Sequence, residues 1–236
     1  MSRWSSALRL EVSTQVRQKF LHAALISGLL WLALLLPIPR DVRPIIEPYV
    51  LVGDIAIIGF FFIGGSVFFE KQERTLGALI CTPLRFREYV SAKIAVLVAI
   101  SLGVAVFVVV VTHGMGRHLL PVTAGVVLGT LVMLLTGFAS ALPFDSVSDW
   151  FLSTTVPLAV LALPVLHLSG IWPNPVLYLV PTQGPLLLFG AAFGQLTLAP
   201  WQIVYALGYP LACAAGLYLL GRTLFAQFVV ERSGVA

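Results

Sequence analysis

Charged residues are scarce in this chain: Asp, Glu, Lys and Arg make up only 10% of its 236 residues, where soluble domains carry about a quarter. Apolar residues make up 59%, and mean hydropathy is +1.00. Water cannot be the solvent for most of such a surface, which excludes secreted, cytosolic and disordered classes. The length leaves room for about six spans of ~20 residues and their connections. No sizeable soluble domain fits beside them.

Lysine is rarer still. Lys19, Lys71 and Lys93 are the three, and none follows glycine, so the chain has no GxxxxGK[ST] loop to cradle a nucleotide. It therefore cannot hydrolyse ATP by that machinery alone. Cysteine is limited to Cys81 and Cys213, without CxxC spacing, which reads as structural thiols rather than a disulfide or metal site. The four histidines (His22, His113, His118, His167) form no HExxH, and no metal site is expected. Gly64-Gly65-Ser66 resembles a nucleophile turn only loosely, and no histidine is placed to serve it. No catalytic residues are expected, and the chain by itself is not read as an enzyme.

The basic residues that are present number fourteen against ten acidic ones, for a net charge of +4. They flank apolar runs instead of forming a stripe, so the excess reads as membrane orientation and not as nucleic-acid binding. The expected fold is all-α and integral to the membrane, with six transmembrane helices at about 20–38, 49–69, 94–111, 122–142, 151–168 and 201–220. One set of connections holds Arg3, Arg9, Arg17, Lys19, Lys71, Arg74, Arg85, Arg87, Lys93, Arg222 and Arg232. The other holds only Arg40, Arg43 and Arg117. By the positive-inside rule both termini are cytoplasmic, in a multi-pass protein of the cell membrane.

Two further segments have patterns of their own. Trp4, Leu8, Val12 and Val16 recur every four residues, with Arg3, Arg9 and Arg17 off the stripe, which predicts an amphipathic interfacial helix over 1–19 beside membrane lipid. The transmembrane domain then covers 20–222, and 223–236 form a cytoplasmic tail. The run 184–198 is apolar but too short for a comfortable span, and predicts a re-entrant or interfacial segment before span six.

Within the spans, Asp54 is the clear intramembrane charge and a candidate for the substrate path. Phe60, Phe61 and Phe62 could line a route for aromatic, lipophilic compounds, and Pro157 and Pro164 could kink span five. Loop 70–93 is unusual in being charged at both ends with an apolar centre. Thr82-Pro83 marks a break with a new helix near Pro83. The product is a short cytoplasmic helix joined to spans two and three, a surface suited to docking a cytosolic partner.

The run Glu70-x-x-Glu73-x-Thr75-Leu76-Gly77, then Thr82-Pro83-Leu84, Glu88 and Ala92-Lys93, resembles the signature of ABC-2-type transporter permeases. The resemblance implies that this segment is a coupling helix seated in a separate ATP-binding subunit, with Glu70, Glu73, Thr75, Leu76, Gly77, Thr82, Pro83 and Leu84 at the contact. It implies that no cofactor binds this chain directly, ATP and Mg2+ residing on the partner, and that a second permease subunit, identical or related, completes the pore. The stretches EPYVLVGDIAIIGFFF, FFEKQERT, WPNPVLYL and PTQGPLLL resemble the fluoroquinolone-exporting branch of that family, which implies outward transport of lipophilic drug-like compounds. Lipid, glycan, haem or ion cargo is the alternative within the family. A proton-coupled carrier using Asp54 is the alternative outside it.

Overall fold

The computed structural model describes residues 3–73, 75 and 85–230, and among them there is no β-strand. Helix α1 (Arg3–Arg17) meets α2 (Phe20–Leu35) at a bend of 63°. Lys19 makes that corner with φ 61°, a left-handed backbone seldom adopted by residues with a Cβ. On α1 the stripe Trp4, Val12 and Val16 faces away from the protein, while Ala7, Glu11 and Gln15 are buried. The amphipathic pattern is thus oriented with its polar edge on the protein and its apolar edge outward, as a helix lying in a lipid interface requires.

Span two is one long helix, Arg43–Gln72, made of α3 (Arg43–Ile55), a π-helical stretch Ala56–Phe62, and α4 (Ile63–Gln72). Next come α5 (Phe86–His113), α6 (Leu119–Ala141) and α7 (Val147–Ala162), which continues after Leu163 as the short α8 (Pro164–Leu168). A 3-10 turn at Pro175–Leu179 leads to α9 (Gln183–Ala192) and then α10 (Pro200–Phe225). Among the described residues, five helices are long and apolar enough to cross a bilayer on their own. The 16-residue α2 passes the same test only together with α1. Pro164 stands at the start of α8, where its missing N–H costs nothing. Pro157 lies inside α7 and is exposed.

Helix α6 is the centre of the bundle. Its glycines let neighbours approach closely, as small residues do between membrane helices. A Cβ on Gly137 would lie 2.6 Å from Phe60 O, and one on Gly59 would lie 2.7 Å from Met133 Cβ. The π-helical stretch is therefore pressed backbone-first onto α6. Phe60 is fully buried and stacks on Trp150 at 5.4 Å, which brings the start of α7 to the same place.

The 184–198 segment dips into the bundle and returns. Tyr205 and Tyr209 donate to Tyr178 O (2.5 Å) and Leu179 O (2.6 Å) beside the start of α10. Deeper, Thr182 donates to Leu161 O at 2.5 Å. A Cβ on Gly184 would meet Ala206 O at 2.8 Å, the carbonyl that Pro210 cannot satisfy because it lacks an N–H. The chain then climbs back until Gln195 donates to Pro44 O at 2.6 Å. At ten residues, α9 is about 15 Å long, half of what a bilayer core demands.

Candidate functional site

The strongest concentration of buried charge lies where α1, α4 and α5 converge. Residues four apart share a helix face, so α4 presents Ser66 and Glu70 together, α5 presents Tyr89 and Lys93, and α1 presents Glu11 and Gln15. Lys93 is fully buried. Its ammonium donates to Glu70 Oε1 (2.7 Å), Ser66 Oγ (2.7 Å) and Glu11 Oε1 (3.0 Å). Three donors meet three acceptors, which is the full capacity of the group. Tyr89 donates its hydroxyl to the other Glu70 oxygen, and Gln15 donates to Glu11 at 2.6 Å. A charge so enclosed is tolerable only because it is paired and hydrogen-bonded throughout.

A second ring of contacts surrounds this cluster. Lys71 donates to Ala141 O (3.1 Å), Leu142 O (2.8 Å) and Phe144 O (2.6 Å), placing a cation on the carbonyl end of α6, where the helix dipole favours it. Arg17 pairs with Glu73 at 2.8 Å. Both are exposed, so this pair contributes little stability, but it ties the end of α1 to the end of α4. Thr75 donates to Glu70 O at 3.1 Å. On the far side of the loop, Glu88 accepts the Arg85 N–H at 2.9 Å and starts α5. The end of α4 and the start of α5 thus belong to a platform in which α1, α4, α5 and α6 are locked together.

The positions named from sequence are spread over three places. Glu70, Glu73 and Thr75 lie on this platform, Glu70 facing inward and Glu73 outward. Leu76, Gly77, Thr82, Pro83 and Leu84 lie outside the described residues. Asp54 is far from the platform: Ser27 donates to it at 3.0 Å and Trp31 at 3.2 Å, so it joins α3 to α2. Phe60, Phe61 and Phe62 all belong to the π-helical stretch. Phe60 and Phe62 are buried, and Phe61 packs on Trp150 and Phe151. Pro164 is buried and Pro157 exposed, and no contact brings either to Asp54. Among the described residues no cluster of His, Cys, Asp and Glu is arranged to hold a metal ion.

Sequence reasoning did not single out Glu11 or Tyr89, took Lys71 only as an orienting charge and read Ser66 only in a loose likeness to a nucleophile turn. The available signal was the four-residue spacing of Ser66 with Glu70 and of Tyr89 with Lys93. Four-residue spacing of polar groups at the end of an apolar helix marks a face that must find partners.

The whole chain can be compared with known proteins. The family model described as the fluoroquinolones export permease protein family matches residues 2–233. The fluoroquinolones export permease proteins of Mycobacterium tuberculosis strains CDC 1551 and H37Rv are each 67% identical to it over 236 residues, covering 100% of both chains. No solved structure matches. A multi-pass helical bundle matched over nearly its whole length in this way belongs to the fluoroquinolones export permease protein family.

Proposed function

We propose that this chain is the membrane subunit of an ATP-driven exporter of lipophilic, drug-like compounds, fluoroquinolones among them. The observation that carries the energetic part is the buried Glu11–Lys93–Glu70 network, which bolts segment 70–93 to three helices at the basic end of the bundle. A protein that only had to turn its chain there would not need to enclose a lysine. In this reading the basic end is cytoplasmic, and both termini lie there. The apolar centre of the loop, Leu76 to Ile80, seats in a separate ATP-binding subunit carrying ATP and Mg2+. A second permease, identical or related, completes the path. Nucleotide-driven approach of the two motor subunits then pulls on the loops, and the rigid platform turns that pull into rocking of spans two and three. Asp54, already occupied by Ser27 and Trp31, ties helices together in this scheme.

Glu73 offers a clean separation of coupling from folding. Among the described residues its side chain pairs with the exposed Arg17, so Glu73→Ala costs under about 1 kcal/mol of stability. Transport by the assembled complex is expected to fall roughly 5-fold or more, the lower range of a coupling free energy, with insertion and assembly retained. Gly77→Pro is expected to do the same. Parallel measurement of ATP turnover and drug movement in proteoliposomes checks this, and unchanged values for both variants remove the segment from the coupling path.

A further inference from the structure

At the opposite end of the bundle the mechanism leaves one pair of titratable groups unused. Glu47, in the second turn of α3, is 1% exposed, yet neither of its carboxyl oxygens makes a well-aligned hydrogen bond. Its Oε2 lies 3.0 Å from Nδ1 of His113, the last residue of α5. The charged groups around the pair come from each neighbouring element. On α3, Arg43 is occupied by Ile38 O (2.8 Å) and Leu36 O (2.7 Å). From the connection to α6, His118 packs its ring 5.8 Å from that of His113. From the end of α9, the uncharged Phe193 covers His113 at 5.4 Å, and Gln195 holds Pro44 O. Thr112 directs its hydroxyl to the Val108 and Val109 carbonyls.

We propose that Glu47 and His113 together hold one proton near neutrality and form a pH-sensitive latch joining the ends of α3 and α5 away from the Lys93 platform. With one proton between them the pair carries no net charge, whichever group holds it. Removing that proton leaves a buried carboxylate facing a neutral ring, which is costly for an unpaired charge. Adding a second proton neutralises Glu47 and leaves the His113 cation beside Arg43 and His118 with no counter-charge. The latch is therefore tightest between the two titrations and loosens on either side. Given the orientation proposed above, this end faces the outside, so opening there follows external pH.

The test requires neither that orientation nor an ATP-binding partner, so its failure is separate from theirs. Spin labels on Ile45→Cys and Met115→Cys, both exposed sites, in a Cys81→Ser, Cys213→Ser background of the full chain, report the separation of the two ends. Distances are read by pulsed electron resonance at about pH 5, 7 and 9, which bracket ordinary carboxyl and imidazole titrations. A single short distance near neutrality is expected, with a longer component growing by up to about tenfold per pH unit beyond each titration, the slope of one proton. Glu47→Gln with His113→Asn should flatten the response, and His113→Asn alone, the milder change, should remove the acid limb and leave the alkaline one, which belongs to Glu47. His118→Asn should leave both limbs. A pH-invariant distance in the parent overturns the latch, as does an acid limb that survives His113→Asn or a response that disappears with His118→Asn.

Discussion

Lys93→Met is expected to destabilise the folded protein by about 3–5 kcal/mol, the cost of removing one partner from a buried charge pair. The side chain is fully enclosed and serves Glu70, Glu11 and Ser66 at once. Without the ammonium, two buried carboxylates face each other across the space it filled. Glu70 keeps Tyr89 and Glu11 keeps Gln15, but neither neutral donor cancels a charge. Thermal unfolding in detergent should show a large downward shift. The companion variant Glu11→Gln, Glu70→Gln, Lys93→Met should recover most of it, because exchanging a whole buried charge cluster for neutral groups is often neutral or better. An unchanged unfolding temperature for Lys93→Met would mean that the cluster is not closed as described.

Gly137→Ala carries the second large effect. A methyl there would lie 2.6 Å from Phe60 O, 2.8 Å from Ile63 Cγ2 and 3.1 Å from Phe60 Cα. Two of those three atoms are backbone of the π-helical stretch, so relief means moving span two and not rotating a side chain. Overpacking of this kind costs about 1–3 kcal/mol. Phe60 would also be pushed out of its stack with Trp150. Gly103, in the middle of α5, meets nothing within 4 Å. Gly103→Ala should therefore leave stability level or raise it, by up to about 1 kcal/mol from helix propensity. Equal shifts for the two alanines would contradict the close packing of α6 on span two.

The comparison of sequence with structure turns on which charges are paired. The apolar runs were legible because lipid forces long uninterrupted stretches, and the long helices fall on them. Hydropathy starts span three at Ile94, while α5 itself begins at Phe86, because Glu88, Tyr89 and Lys93 are satisfied by Arg85, Glu70 and Glu11 and so extend the helix ahead of the apolar run. A window average cannot tell a paired charge from a solvated one. The stripe on α1 was legible, but the partner of its polar edge was not, since Glu11 and Lys93 are 82 residues apart. The π-helical stretch left no trace in AIIGFFF, because a change from i−4 to i−5 bonding alters the backbone ladder and not the residue types. On the site, the sequence pointed to Glu70, Glu73 and Thr75 through a motif, whereas the roles of Ser66, Lys71 and Tyr89 emerge only from three-dimensional convergence. Pro157 and Pro164 illustrate the reverse case: Pro157 lies inside α7, whereas Pro164 opens the short α8 that continues it.

The central claim is that the energy for export comes from a separate nucleotide-hydrolysing subunit gripping segment 70–93. Inside-out membrane vesicles containing this chain and its ATP-binding partner test it most directly, with a fluoroquinolone as the probe and its accumulation as the readout. Accumulation should require ATP, persist when a protonophore collapses the proton gradient, and be lost in Glu73→Ala. Accumulation driven by a proton gradient without nucleotide would contradict the account.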